Sequence, residues 1–266
     1  MQPAPPRRAL LRTAAVGLPV LALGALAGCT GEGADERTGS DDAITLTVFA
    51  AASLRTVLEQ VGTEFTAAHP GTAVRFSFAG SADLVAQLDA GAPADLLITA
   101  DQRTMTLAQE NGSITGKPVV IATNIPVLIT PAGNPAAVTD LAGAAGPDVD
   151  LVVCAPQVPC GAAAAAVAEQ AGLTLAPVSE ETSVTDVLGK VTSGQADAGI
   201  VYATDAADAG DAVTTIDLPG ADQARTEYPA AVTASSAHPE QALALLDALS
   251  APAAQQLLAN AGFGAP

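Results

Sequence analysis

Serine and small residues occur where a predicted strand gives way to a helix, and such a turn can bind an anion. The strand around Phe78 ends in Ala79-Gly80-Ser81, and the periodic apolar residues of a helix follow. The N–H groups of a helix's first turn lack partners inside the helix and carry partial positive charge. Ser81 would add a hydroxyl to them. Taken alone, this turn is better explained by an ordinary N-cap serine.

The chain repeats this arrangement three more times, which changes the interpretation. The further helix starts are Ala52-Ser53, Cys160-Gly161 and Ser183-Val184. Four helix N-termini that converge could hold an anion without a charged side chain, since each contributes donors and about half a positive charge. Tyr202, at the end of a short apolar strand, can offer another hydroxyl, although by itself it is more simply a packing tyrosine.

The predicted site is rich in donors and poor in acceptors. No Asp or Glu occurs in the turns at Ser53, Ser81 or Cys160. Hydrogen phosphate needs an acceptor for its O–H, whereas a fully ionised tetrahedral dianion does not. The pattern therefore favours sulfate, molybdate or tungstate. A local donor site also reconciles anion binding with the net charge of −18, which argues against nucleic acid and anionic membrane surfaces as partners.

Alternating strands and helices position these turns and indicate an α/β fold. Asn124 lies between two apolar strands and is the candidate point at which the chain crosses into a second lobe, with a return near Val213. We therefore expect residues 43–123 plus 213–266 to form lobe I, and residues 124–212 to form lobe II.

A secreted serine hydrolase is the alternative from another class, and it requires a base beside the serine. His69 and His238 lie outside the candidate turns, and the chain contains no Gly-x-Ser-x-Gly elbow. We therefore expect no enzyme, no catalytic residue and no cofactor. The acids Asp205, Asp208 and Asp211 lack a metal-ligand pattern and predict a solvated face. A structural lipoprotein without a ligand would leave the donor-rich helix starts unexplained.

The N-terminus predicts export and membrane anchoring. Residues 1–28 combine a basic segment with an apolar run, as in a signal peptide. The run ends in Leu26-Ala27-Gly28-Cys29, which resembles the lipobox of bacterial lipoproteins and predicts lipidation of Cys29; a plain secretory signal is the alternative. The Arg7-Arg8 pair also resembles a twin-arginine export motif. Residues 29–42 are acidic and contain glycines, which indicates a flexible tether.

Two cysteines remain in the exported domain, Cys154 and Cys160. Disulfides form readily outside the cytoplasm, and only a short loop separates the pair. We therefore predict a disulfide, with two buried free thiols as the alternative.

Five motifs together resemble those of periplasmic molybdate-binding proteins, which serve ATP-driven importers. They are Val48-Phe49-Ala50-Ala51-Ala52-Ser53-Leu54, Ala90-Gly91-Ala92-Pro93-Ala94-Asp95-Leu96, Val158-Pro159-x-Gly161, Gly199-Ile200-Val201-Tyr202 and Tyr228-Pro229. The resemblance covers the chain from about Ile44 to Phe263. It implies the two-lobed periplasmic-binding-protein fold of type II, in which crossing strands join the lobes and the ligand cleft lies between them.

The resemblance also implies a set of ligand contacts. Molybdate would be held by the hydroxyls of Ser53, Ser81 and Tyr202 and by the backbone N–H groups of Cys160 and Val184. The protein would be an extracytoplasmic monomer that captures molybdate, and tungstate, for the membrane permease of an ABC transporter. Another oxyanion such as sulfate is the alternative.

Two residues depart from the family pattern. Many relatives have a serine at the position of Gly80, and Cys160 replaces a small residue. Either departure could change the selectivity among oxyanions.

Overall fold

The structure, a computed structural model, describes residues 43–266, which belong to one compact unit. The predicted signal peptide, lipidation site Cys29 and tether 29–42 lie outside the described residues. Within the described range, no single helix is long and apolar enough to cross a membrane. Two consecutive helices, Pro239–Ser250 and Pro252–Asn260, would pass by length and composition only if taken together, across a bend of 58°.

Strands and helices alternate along the chain. The strands are β1 Ile44–Ala51, β2 Thr72–Ala79, β3 Leu96–Ile98, β4 Val119–Asn124, β5 Pro126–Pro131, β6 Leu151–Cys154, β7 Ser179–Glu181, β8 Ala198–Tyr202, β9 Val213–Ile216 and β10 Thr226–Val232. The α-helices are α1 Arg55–Ala68, α2 Ser81–Asp89, α3 Gln102–Glu110, α4 Leu141–Ala144, α5 Pro159–Gln170, α6 Val184–Thr192, α7 Ala203–Ala209, α8 Pro239–Ser250 and α9 Pro252–Asn260. Short 3₁₀ helices cover Ala52–Leu54, Gly210–Ala212 and Ala221–Ala224.

These strands form two five-stranded sheets with the same topology. The first has the order β2-β1-β3-β10-β4, and the second has the order β7-β6-β8-β5-β9. In each sheet the first three strands are parallel, and the fourth runs antiparallel to both of its neighbours. The sequence has no visible repeat, so this structural duplication was not predicted.

The chain passes from the first sheet to the second between Asn124, where β4 ends, and Pro126, where β5 begins. Strand β9 differs from the expectation, which assigned it to lobe I. It pairs with β5 in the second sheet, with Leu128 opposite Ile216, so the chain returns to the first sheet only after Ile216. A four-residue apolar strand carries no signal for which of two sheet edges it joins.

Of the three clusters of buried apolar side chains in residues 43–266, one spans both lobes and the other two each lie within one lobe. A single cluster of buried side chains includes Leu46 and Val48 of β1 together with Val152 of β6 and Val184 of α6. The lobes are therefore in contact with each other, and residues from both line the cleft between them.

Candidate functional site

All five predicted ligand-binding residues line one cavity between the sheets. Each lies at or just after the carboxyl end of a strand in the parallel part of its sheet, where α/β proteins commonly bind ligands. The strand and residue pairs are β1 with Ser53, β2 with Ser81, β6 with Cys160, β7 with Val184 and β8 with Tyr202. The structure thus gathers residues that are separated by up to about 150 positions.

The cavity is small and formally neutral. Its volume is about 220 Å³, a figure that includes the open solvent at its mouth. Its remaining walls come from the small or apolar residues Ala51, Ala52, Ala79, Gly80, Ala100, Val158 and Pro159, and from Ser183. Among residues 43–266, no charged side chain lines it. Only backbone dipoles and hydroxyl groups can therefore recognise a ligand here.

Ser81 is the first residue of α2, and Gly80 occupies the N-cap position. Its Oγ accepts a hydrogen bond from the Ala100 N–H at 3.0 Å, and the residue is only 2% exposed. A hydroxyl that already accepts from an N–H still has its own proton to donate. Ser81 is therefore a buried donor with a fixed position.

Ser53 is not an N-cap, although the sequence places it at a predicted helix start. It lies inside the 3₁₀ turn Ala52–Leu54, and Leu54 takes the cap position of α1. The turn continues directly from β1 into the helix, so the serine side chain caps nothing. Its Oγ instead lies 2.9 Å from the hydroxyl oxygen of Tyr228. The 3₁₀ turn that leads into α1 nevertheless lies at the cavity, together with the starts of α2, α5 and α6.

The second lobe contributes backbone donors from two helices. In α5 the first intrahelical bond runs from the Ala162 N–H to the Val158 oxygen, so the N–H groups of Cys160 and Gly161 precede it. In α6 the N–H group of Val184 likewise precedes the first bond, from Val187 to the Ser183 oxygen.

Ser183 lines the cavity but has no proton to give. It caps α6 by accepting from the Asp186 N–H at 3.3 Å, and its own proton goes to the Asp186 Oδ2 at 2.7 Å. Ser183 therefore positions the N–H of Val184 and does not itself act as a donor to the cavity.

A disulfide joins Cys154 at the end of β6 to Cys160 in the first turn of α5, with the Cα atoms 5.6 Å apart. The loop it closes is packed tightly. A Cβ atom on Gly161 would lie 2.0 Å from the Ala155 oxygen. The disulfide and this close packing together fix the donor N–H groups at the start of α5.

Tyr202 offers the cavity a hydroxyl with no other function. It is 2% exposed, and its hydroxyl has no hydrogen-bond partner among the described residues. Burial, with a further contribution from Tyr228, raises the pKa of Tyr202 well above its ordinary value. The hydroxyl therefore stays neutral and keeps its proton.

Asp205 is an exception to the solvated face predicted for residues 205, 208 and 211. Asp208 and Asp211 are exposed, but Asp205 is 5% exposed and accepts a hydrogen bond from the Tyr202 N–H at 3.1 Å. It lies in the first turn of α7 and reaches back to the residue before the helix. Burial raises its pKa to about 7.

Direct contacts join the lobes at the rim of the cavity. The Arg103 Nη2 in α3 donates to the Gln157 oxygen at 2.7 Å. Gly80 approaches Thr182 so closely that a Cβ atom there would lie 1.9 Å from the Thr182 oxygen. The lobes can adopt this arrangement only because residue 80 has no side chain.

Two polar residues behind Ser53 were not predicted as part of the site. Asn124 was predicted only as a crossing point, and Tyr228 only as part of a motif. Asn124 and Tyr228 are 4% and 0% exposed, and both are hydrogen-bonded into the same network as Ser53. A lone Asn or Tyr in a sequence gives no sign of such a contact.

Comparison with known proteins places this chain in a family. A model of the bacterial extracellular solute-binding proteins matches residues 46–264. The chain belongs to this family. The solute-binding protein is 41% identical over 221 residues to the molybdate-binding protein ModA of Mycobacterium tuberculosis H37Rv, covering 83% of this chain and 85% of that one. The hydrolase alternative is thereby excluded, and neither His69 nor His238 lines the cavity.

Solved structures confirm the two-lobed α/β fold. The periplasmic molybdate-binding protein of Azotobacter vinelandii superimposes with a TM-score of 0.71 at 24% identity, covering 83% of this chain and 99% of that one. The sulfate-binding protein SubI of Mycobacterium tuberculosis H37Rv superimposes with a TM-score of 0.69, also at 24% identity, covering 83% and 86%. Because receptors for two different oxyanions share the fold, the fold alone does not identify the ligand.

Proposed function

We propose that this solute-binding protein captures molybdate outside the cytoplasm and delivers it to the membrane permease of an ABC importer, with tungstate as a second ligand. It would act as a monomer anchored through lipidated Cys29 to the outer face of the cell membrane. No resident cofactor takes part, since the anion itself is the cargo.

The observation that carries this proposal is a small cavity that no charged side chain among residues 43–266 lines and to which hydroxyls and helix N-termini supply donors. The hydroxyls of Ser81 and Tyr202 have protons to give, and the N–H groups of Cys160 and Val184 lie at the starts of two helices. Such groups suit an anion with an acceptor oxygen at every corner and no proton of its own. A tetrahedral dianion meets both requirements.

The choice of molybdate within that class is supported by relatedness. The mycobacterial relative described as molybdate-binding is far more similar in sequence than the sulfate-binding structure, at 41% against 24% identity. Sulfate remains the second candidate, because it has the same charge and shape and differs mainly in size.

A thermal-shift panel tests the proposal. We expect purified, ligand-stripped protein to be stabilised by molybdate and tungstate, and not by phosphate. Ligand at about a hundred times its Kd adds roughly 2.7 kcal/mol, which raises the Tm by roughly 5–10 °C for a chain of this size. The chain has no tryptophan, so an external dye should report unfolding. A shift with sulfate alone would mean that the ligand is sulfate and not molybdate. No shift with any anion would refute oxyanion binding.

Ser81→Ala should weaken molybdate binding by about 1–2 kcal/mol, because a charge-assisted hydrogen bond to a buried anion is lost. Calorimetric titration measures the loss. Ser236→Ala is the matched control, since it removes a hydrogen-bonded hydroxyl of the same lobe outside the cavity, one that donates to Asp95 at 2.8 Å. Equal affinities in the two variants would remove Ser81 from the site.

A further inference from the structure

A buried hydrogen-bond chain behind the cavity begins at Asn124, where the polypeptide crosses between the sheets. The Asn124 Oδ1 lies 2.9 Å from the Ile125 N–H, which can only donate. The amide orientation is therefore fixed, and the Nδ2 group faces the other partners. Nδ2 donates to the Thr204 Oγ1 at 2.8 Å and to the Tyr228 hydroxyl at 3.4 Å.

The hydrogen-bond chain continues from Tyr228 to Ser53. The Tyr228 oxygen accepts from Asn124, and its hydroxyl lies 2.9 Å from the Ser53 Oγ, where either group could donate. If Ser53 donated, the Tyr228 proton would have no hydrogen-bond partner among residues 43–266, so the direction that pairs this proton runs from Tyr228 to Ser53. Tyr228 is fully buried, so no water competes for that proton. With its oxygen accepting from Tyr228, Ser53 is left with its own proton and the cavity as the place to donate it.

We propose that Asn124 and Tyr228 are positioning residues that direct the Ser53 proton into the cavity, so that the site accepts ionised oxyanions and rejects those that carry a proton. This inference rests on the proposed function, because it concerns how the same site selects among tetrahedral anions. Neither residue touches the ligand; both act through Ser53.

The arrangement at Ser81 follows the same logic. The Ser81 oxygen accepts a hydrogen bond from the Ala100 N–H, and the Ser53 oxygen accepts one from Tyr228. An anion with an O–H group could donate to either serine only through the remaining lone pair of the serine oxygen, and the serine's own buried proton would then stay unpaired. Sites that leave a buried polar group unpaired discriminate strongly between ligands of similar shape.

Asn124→Asp should reverse the donor direction along the hydrogen-bond chain, and it therefore tests the proposal. A carboxylate oxygen facing Tyr228 would accept its proton, so Ser53 would donate to Tyr228 and present an acceptor to the cavity. We expect the affinity for molybdate to fall about 10- to 100-fold. The added negative charge weakens the binding of every anion, so the informative quantity is the ratio of the phosphate Kd to the molybdate Kd. That ratio should fall at least about tenfold.

Tyr228→Phe provides the same test without a new charge. Its ring can keep the edge contacts with Tyr202 and Phe263, at centroid distances of 6.2 and 5.4 Å, while Ser53 becomes free to rotate. The ratio should again fall, and this variant decides the matter if Asn124→Asp does not fold. Thr204→Val is the matched control, since it removes another partner of Asn124 outside the path to Ser53, and its ratio should equal that of the wild type.

Titration of the exported full-length protein and its variants with molybdate, sulfate and phosphate separates the outcomes. A wild-type ratio in both Asn124→Asp and Tyr228→Phe overturns the inference, as does a wild-type protein that binds phosphate as well as molybdate. Wild-type protein that binds none of the three anions refutes the proposed function and the inference with it. A ratio that falls equally in Thr204→Val assigns the effect to general loosening and also overturns the positioning role.

Discussion

Gly80→Ala should reduce the affinity for molybdate by roughly a hundredfold, about 3 kcal/mol, the largest loss expected from a single methyl group here. The new Cβ would lie 1.9 Å from the Thr182 oxygen and 3.1 Å from its carbonyl carbon. Both are backbone atoms of the opposite lobe, so no side chain can move aside. The lobes would have to stay apart, and the donors of α5 and α6 would not reach a ligand held by Ser81.

The same variant should fold normally in the absence of ligand. Gly80 has φ −60° and ψ 139°, a conformation that any residue adopts. Gly189→Ala is the control, because a Cβ there meets nothing within 4 Å. Calorimetric titration gives the affinity, and thermal unfolding of ligand-free protein gives the stability. Wild-type affinity in Gly80→Ala would mean that the lobes bind without this close approach.

Asp205→Asn should stabilise the protein at pH 8 by about 2–4 kcal/mol. Burial raises the pKa of Asp205 from the ordinary 3.8 to about 7, and each unit is worth about 1.4 kcal/mol. The folded protein therefore binds this proton more tightly than the unfolded chain does. The contribution of Asp205 to stability is complete below about pH 4 and is lost as the pH rises through about 7. Asparagine keeps an oxygen for the Tyr202 N–H and avoids the buried charge.

Urea unfolding between pH 5 and pH 8 measures this effect. The difference in the free energy of unfolding between Asp205→Asn and the wild type should grow with pH. Asp211→Asn removes the same charge from an exposed position and should show no such trend. A constant difference across this range would mean that Asp205 is already ionised in the folded protein at pH 5.

The parts of the site that sequence could predict are those determined by local pattern. The apolar run before Ser81 and the periodic residues after it specify a strand, a turn and a helix, and the serine's place in that turn follows. The donor character of the site follows as well, since Asp and Glu are absent from the turns. The position of the crossing at Asn124 could be predicted because two apolar strands flank it.

Properties that depend on distant partners could not be predicted. Whether Ser53 caps a helix or accepts from Tyr228 depends on a residue 175 positions away. The burial of Asp205 depends on how α7 packs, because the three acids look alike in the sequence. The closeness of Gly80 to Thr182 arises only when two lobes meet. Strand β9 shows the same limit, since its four residues fit either sheet edge.

The neutrality of the cavity has a kinetic consequence. The full chain carries a net charge of −18, so an approaching dianion is repelled at long range and then bound by dipoles at short range. Salt at 0.1 M screens charges beyond about 10 Å. It therefore weakens the long-range repulsion but not the short-range contacts with the buried donors. Added salt should therefore speed association and leave dissociation almost unchanged, the reverse of the behaviour at a site built from lysine or arginine.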